Sequence, residues 1–121
     1  MILEGLVVSF AGGLAANATP TVAKSIRRNG QRIADRASLI LGGDAQLNER
    51  TTWLVVREGA FAADPIVTDY LGGIVAEASL TGHELLFEVS QIARLSARQL
   101  KRHYLIYEAI SSNAQQLDAT K

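Results

Sequence analysis

His83 and His103 are the only imidazoles in the chain, and any metal or proton-transfer chemistry would begin with them. They lack the HExxH spacing that sets two nitrogens on one helix face, so a zinc site would have to be assembled in space with Glu84 or Glu88. No metal is expected. His103, between Arg102 and Tyr104, reads as a partly buried hydrogen-bonding residue, and His83 as an exposed one. Glu84 and Glu88 lie one turn apart, but two solvated carboxylates have no cause to divide acid from base. Ser9, Ser25, Ser79 and Ser96 lack the strand–turn–helix elbow that activates a nucleophile. Neither GxGxxG nor GxxxxGK[ST] is present to cradle phosphates. With no cysteine, disulfides, thiolate metal sites and a Cys nucleophile are excluded. The expectation is a non-enzyme with no catalytic residue and no cofactor.

Cations offer a more regular pattern. Lys24, Arg28, Arg32 and Arg36 recur every four residues and make a basic ridge on a helix. That is a candidate surface for a polyanion, either nucleic acid or anionic lipid, and equally an ordinary solvated face. Arg94, Arg98, Lys101 and Arg102 precede Tyr104 and Tyr107, which suggests phosphate contacts with stacking. The tyrosines share the spacing of Leu100, however, and are expected in the core.

Across the chain these charges are segregated although the net charge is zero. Residues 20–36 carry a balance of +4, residues 44–88 one of −6, and residues 94–102 a further +4. Helices of opposite sign attract on packing, and the same pattern suits subunit pairing. A polyanion binder would more often be basic overall.

The elements that must carry these residues are helical. Leu3, Leu6, Val7, Phe10 and Leu14 give one helix over residues 2–17. Its other side holds Gly5, Gly12, Ala15 and Ala16, small enough for a second close helix. Thr19-Pro20 opens a second helix, with Val22, Ile26, Ile33, Ala37 and Ile40 as its stripe, and Gly42-Gly43 stops it. Residues 49–61 form a third around Trp53, Leu54, Val56, Ala60 and Phe61. Asp64-Pro65 starts a fourth, over residues 64–80, with Ile66, Val67, Tyr70, Leu71, Ile74 and Val75 as its apolar side. Two capping boxes, Thr81 to Glu84 and Ser96 to Gln99, would open the last two helices, ahead of Leu85 and Leu100. The residues from Ser111 onward are polar and expected to fray.

Gly72 and Gly73 stand inside the fourth helix, where each costs about 1 kcal/mol against alanine. With Ala76 they are expected to form a seam that admits a second helix closely. Gly-Gly also occurs at 12–13 and 42–43, but the flanking residues differ in kind, so no repeat is inferred.

The uncharged stretch from Gly5 to Ala23 is 19 residues long, close to spanning length, yet Asn17, Thr19 and Pro20 interrupt it. The apolar part suits a helix buried in the bundle or an oligomer interface. The alternatives are membrane contact through residues 2–18, ahead of Lys24, Arg27 and Arg28, and a signal peptide, which would want a basic start.

"REGAFAADPIVTDYLGGIVAEAS" followed by "IARLSARQLKRHYLIY" resembles a pattern in uncharacterised bacterial proteins. It is similar, more distantly, to the abortive infection alpha family, implicated in bacterial defence against phage. The likeness covers residues 53–107, and Gly72-Gly73 stands where that family more usually has two leucines. It implies a bacterial helical protein with a role in defence, and it carries over no catalytic residue.

These readings converge on an all-α, single-domain bundle of five to six helices over residues 1–112, with a polar tail at 113–121. Its expected role is as a helical interaction or oligomerisation module in the cytoplasm, with a second copy or another protein as partner. Polyanion binding through the second helix is the alternative function, and membrane association the alternative location.

Overall fold

Thr19, Asn48 and Asp64 each turn a side-chain oxygen back onto a free N–H of the helix that follows. Thr19 Oγ1 accepts from Val22 (3.4 Å), Asn48 Oδ1 from Thr51 (2.9 Å) and Asp64 Oδ1 from Ile66 (3.0 Å). Pro20 and Pro65 occupy first-turn positions, where the missing N–H has no intrahelical partner to lose. Gly42 and Gly82, with φ of 65° and 74°, end their helices in the left-handed region and donate to Ser38 and Ala78.

The computed structural model describes residues 2–42, 48–95 and 97–119, with the side chains of all but Ile2, Tyr107 and residues 111–119. Among the described residues there are six helices and no strand. They are α1 (Ile2–Ala15), α2 (Pro20–Leu41), α3 (Glu49–Gly59), α4 (Pro65–Thr81), α5 (Leu86–Arg94) and α6 (Ala97–Ala119). The all-α bundle read from the sequence is therefore the fold. No described helix is long and apolar enough to cross a membrane.

α2 is the hub. It packs against α1 and α4 most extensively and also touches α3, while α4 carries α5 and α6 on its other sides. Ile26, Ile33, Ala34 and Ala37 of α2 meet Val7 of α1, Val55 and Val56 of α3 and Leu71 and Val75 of α4 in one buried cluster. Burying one of these Val, Leu or Ile side chains stabilises by roughly 1.5–3 kcal/mol.

Several expected faces are shifted. α1 has one packing face, not two. Ala15 joins Leu3, Val7 and Ala11 in the core, whereas Gly5 and Ala16 face outward and a Cβ at Gly5 or Gly12 would touch nothing. On α2, Val22 and Ile40 lie outside, and Ala23, Asn29 and Gly30 share the buried side with Ile26, Ile33 and Ala37.

In α3 the buried seam is Thr51, Thr52, Val55, Val56 and Gly59, spaced at three and four residues. Trp53 is 39% exposed and Phe61, beyond the helix end at Gly59, is 71% exposed. The threonines can lie inside because their hydroxyls are bonded. Thr52 Oγ1 donates to the Asn48 carbonyl at 2.8 Å, and Thr51 Oγ1 accepts from the Leu85 N–H at 3.2 Å. Trp53 and Phe10 pack edge-to-face, ring centroids 5.1 Å apart.

The Thr81 capping box does not form. Thr81 is the last residue of α4, its hydroxyl donates back to the Glu77 carbonyl, and α5 starts at Leu86 without a side-chain cap. The left-handed turn at Gly82 finishes α4 before Glu84 can reach back. The Ser96 box lies outside the described residues. α6 continues as helix to Ala119, past residue 112. Leu100 is buried as expected, whereas Tyr104 and Ile110 are exposed because α6 leaves the bundle after resting mainly on α4. The side chain of Tyr107 lies outside the described set.

Candidate functional site

Ile66, Asp69, Tyr70, Gly73, Ile74 and Glu77 recur at three and four residues and so share one face of α4. That face is the floor of a groove of ≈ 630 Å³, walled by Arg36 and Ile40 of α2 and by His103 and Tyr104 of α6. The volume falls within the range of binding pockets.

Contacts at the start of α6 fix this wall. Leu100 is buried, the Tyr70 hydroxyl donates to the Leu100 carbonyl at 3.3 Å, and the Tyr70 ring meets His103 edge-on at 6.5 Å. Lys101 Nζ reaches Asp64 Oδ2 at 3.3 Å. The backbone N–H of Ile66 holds the Asp64 carboxyl below its ordinary pKa, against a smaller opposing effect of burial, and Lys101 adds to the lowering. Burial pushes the Tyr70 hydroxyl up. The hydrogen bond to Glu108, followed by that carboxylate's charge, raises Tyr104.

The two adjacent glycines do different work. A Cβ at Gly72 would lie 2.8 Å from Arg36 Cβ and 2.9 Å from the Ile33 carbonyl, so α2 and α4 cross here closer than any side chain permits. Ala76, one turn on and fully buried, continues that seam. Gly73 does not belong to it. One residue further is about 100° further round the helix, and a Cβ there meets nothing within 4 Å. Gly73 opens the groove floor instead.

The basic ridge is present but twisted. Each step of four residues overshoots a full turn by about 40°, so Lys24 and Arg36 differ in direction by about 120°. Lys24 and Arg28 are exposed, Arg32 is half-buried, and Arg36 enters the groove. None of the four forms an ion pair among the described residues.

The remaining candidates stay apart. His83 and Glu88 are exposed, and Glu84 pairs with Arg50 at 3.4 Å on the surface. Ser79 donates to the Val75 carbonyl within its own helix. Among the described residues no three His, Asp or Glu side chains gather as a metal site. Asp69, Glu77 and Tyr70 were not singled out as site residues from the sequence. The available signal was a glycine placed on a face otherwise occupied by large side chains.

Beyond Tyr104, Leu105, Ile106 and Ile110 of α6 are 62%, 61% and 63% exposed. The site thus comprises a groove with an apolar floor, Asp69 and Glu77 on that floor, and a projecting helix with apolar residues of its own. Comparison with protein-family models, curated proteins and solved structures finds no match to the chain.

Proposed function

We propose that the chain is a non-enzymatic helical module that works by self-association, in a bacterial defence system of the kind its resemblance implies or in a stress response. The single observation that carries the reading is α6. It is a helix of 23 residues, docked at its start, whose Leu105, Ile106 and Ile110 face solvent. Large apolar residues clustered in this way mark interaction surfaces more often than isolated ones do. The charge segregation supports a like partner, because a neutral chain with basic and acidic helices complements itself. The test is sedimentation of the intact chain at micromolar concentration. A concentration-dependent dimer or larger species, reduced by Ile106→Glu, is expected, and a monomer at every concentration would reject the proposal.

A second reading rests on the cations Lys24, Arg28, Arg32 and Arg36, which form no ion pair among the described residues and suit phosphates of a nucleic acid or lipid. It predicts salt-sensitive retention on heparin, lost with Arg28→Glu/Arg32→Glu. The twist of the ridge makes this the weaker case, since a straight polyanion meets only part of it at once. In either reading the proposed location is the cytoplasm.

A further inference from the structure

Inside the chain, α4 and α6 are already joined by one acid and one base, Asp64 and Lys101. The rest of that complementarity is unused. α4 contributes Asp69 and Glu77 to the groove and contains no lysine or arginine. α6 contributes Arg98 and Arg102, both exposed and in no ion pair among the described residues, and has no acid before Glu108.

Helical geometry sorts the sides of α6. Leu100 and Tyr104 face the chain's own α4 and groove. Arg98, Arg102, Leu105 and Ala109 lie about 140–200° round from Leu100, on the opposite side, with Ile106 at its edge. The lengths also agree. Ile66 to Glu77 along the floor and Arg98 to Ala109 along α6 are each eleven steps, about 16 Å.

We infer that, resting on the self-association reading, the outer side of α6 docks into the α2–α4 groove of a second copy, reciprocally about a two-fold axis. Each α6 is then sandwiched between its own α4 and the partner's α4, and the two α6 helices lie side by side in a middle layer. Leu105 and Ile106 cover Ile66, Tyr70 and Ile74, while Arg98 and Arg102 meet Asp69 and Glu77. Gly73 leaves the floor low enough for a helix to lie there. The arrangement is isologous and closes on itself as a dimer.

Charge exchange tests it. One variant carries Asp69→Lys/Glu77→Lys and the other Arg98→Glu/Arg102→Glu. Alone, each opposes like charges across both contacts and should weaken dimerisation at least about tenfold. Mixed in equal amounts, they restore opposite charges at both contacts and should form a heterodimer. Sedimentation of each variant and of the mixture reads this directly, with circular dichroism to check folding. Gly73→Leu, whose Cβ would meet nothing within 4 Å and whose longer side chain would fill the groove, should fold and be monomeric. Wild-type association that survives both Gly73→Leu and the charge variants overturns this docking while leaving self-association standing. A mixture that stays monomeric, with both variants folded, also overturns it. A monomeric wild type rejects the underlying reading itself.

Discussion

Replacing Asn29 should destabilise the protein by more than its size suggests. α3 ends at Gly59 without a left-handed glycine, and Ala60 stays in the right-handed helical region. The Gly59 carbonyl accepts locally from the Ala62 N–H at 3.2 Å, but those of Ala60 and Ala62 need donors from elsewhere. Asn29, fully buried on α2, supplies them, donating both amide hydrogens, to Ala60 O at 2.9 Å and Ala62 O at 3.0 Å. Asn29→Ala removes both donors and leaves the Ala60 carbonyl buried and unpaired. A buried acceptor without a partner costs about 1–3 kcal/mol, and Ala62, half-buried, costs less. Against this, Asn29 Oδ1 has no hydrogen-bond partner among the described residues, so the wild-type arrangement gives up part of the gain. The expected loss is about 2–3 kcal/mol, and Asn29→Leu, which keeps the branched outline with bulkier ends, should lose at least as much. Asn29→Asp sharpens the test. A carboxylate facing two carbonyl oxygens would be held protonated in the folded state, with its pKa above the ordinary value of about 3.9. The folded protein then holds a proton that the unfolded chain releases, so the variant loses stability as pH rises from about 4, relative to wild type. Urea unfolding followed by circular dichroism between pH 4 and 7.5 measures all three. An Asn29→Leu midpoint equal to wild type, or an Asn29→Asp deficit that does not grow with pH, would refute the reasoning.

Gly72→Leu should destabilise by about 1–3 kcal/mol through overpacking against Ile33 and Arg36. At concentrations where the wild type is monomeric, Gly73→Leu should cost far less than Gly72→Leu, because it gains helix propensity and its Cβ meets nothing within 4 Å; thermal melts of the two variants should move apart. Thr51→Val keeps its shape but removes the acceptor for the Leu85 N–H, so a loss of about 1–2 kcal/mol and faster amide exchange at Leu85 are expected. Asp64, whose folded pKa is lowered, contributes stability that is full above its unfolded value and disappears as pH falls through the folded one. Asp64→Asn should therefore flatten part of the acid limb of stability against pH, and an unchanged acid limb would remove Asp64 from the account.

Ends of helices were legible where one or two adjacent residues decide them. Thr19-Pro20, Asp64-Pro65 and Gly42 act through their own side chains or backbone on the adjacent turn and need no distant neighbour. Thr81 shows the limit, since a hydroxyl suited to starting α5 instead bonds back within α4 once Gly82 turns left-handed. The face of α3 was misread because size and hydrophobicity favoured Trp53 and Phe61. What lies inside are threonines made neutral by bonds to Asn48 and to Leu85, 34 residues away. Gly72 and Ala76 were legible as a seam from their small size and helical spacing. Gly73 was not separable from them until the position of α2 was known. The groove could not be read at all, because its walls come from segments more than 60 residues apart in sequence, Arg36 and His103.

Attachment of α6 by its first turns gives the molecule a lever. From Leu100 to Ala119 the helix extends about 28 Å beyond its anchor, so a tilt of 10° at Leu100 sweeps the far end through about 5 Å. The fulcrum includes one buried leucine, the Tyr70 hydroxyl on its carbonyl, the Tyr70 ring on His103, and Lys101 on Asp64. A displacement of a fraction of an ångström between α4 and α6 is thereby magnified at the tip, and the direction of the tip reports the state of those contacts.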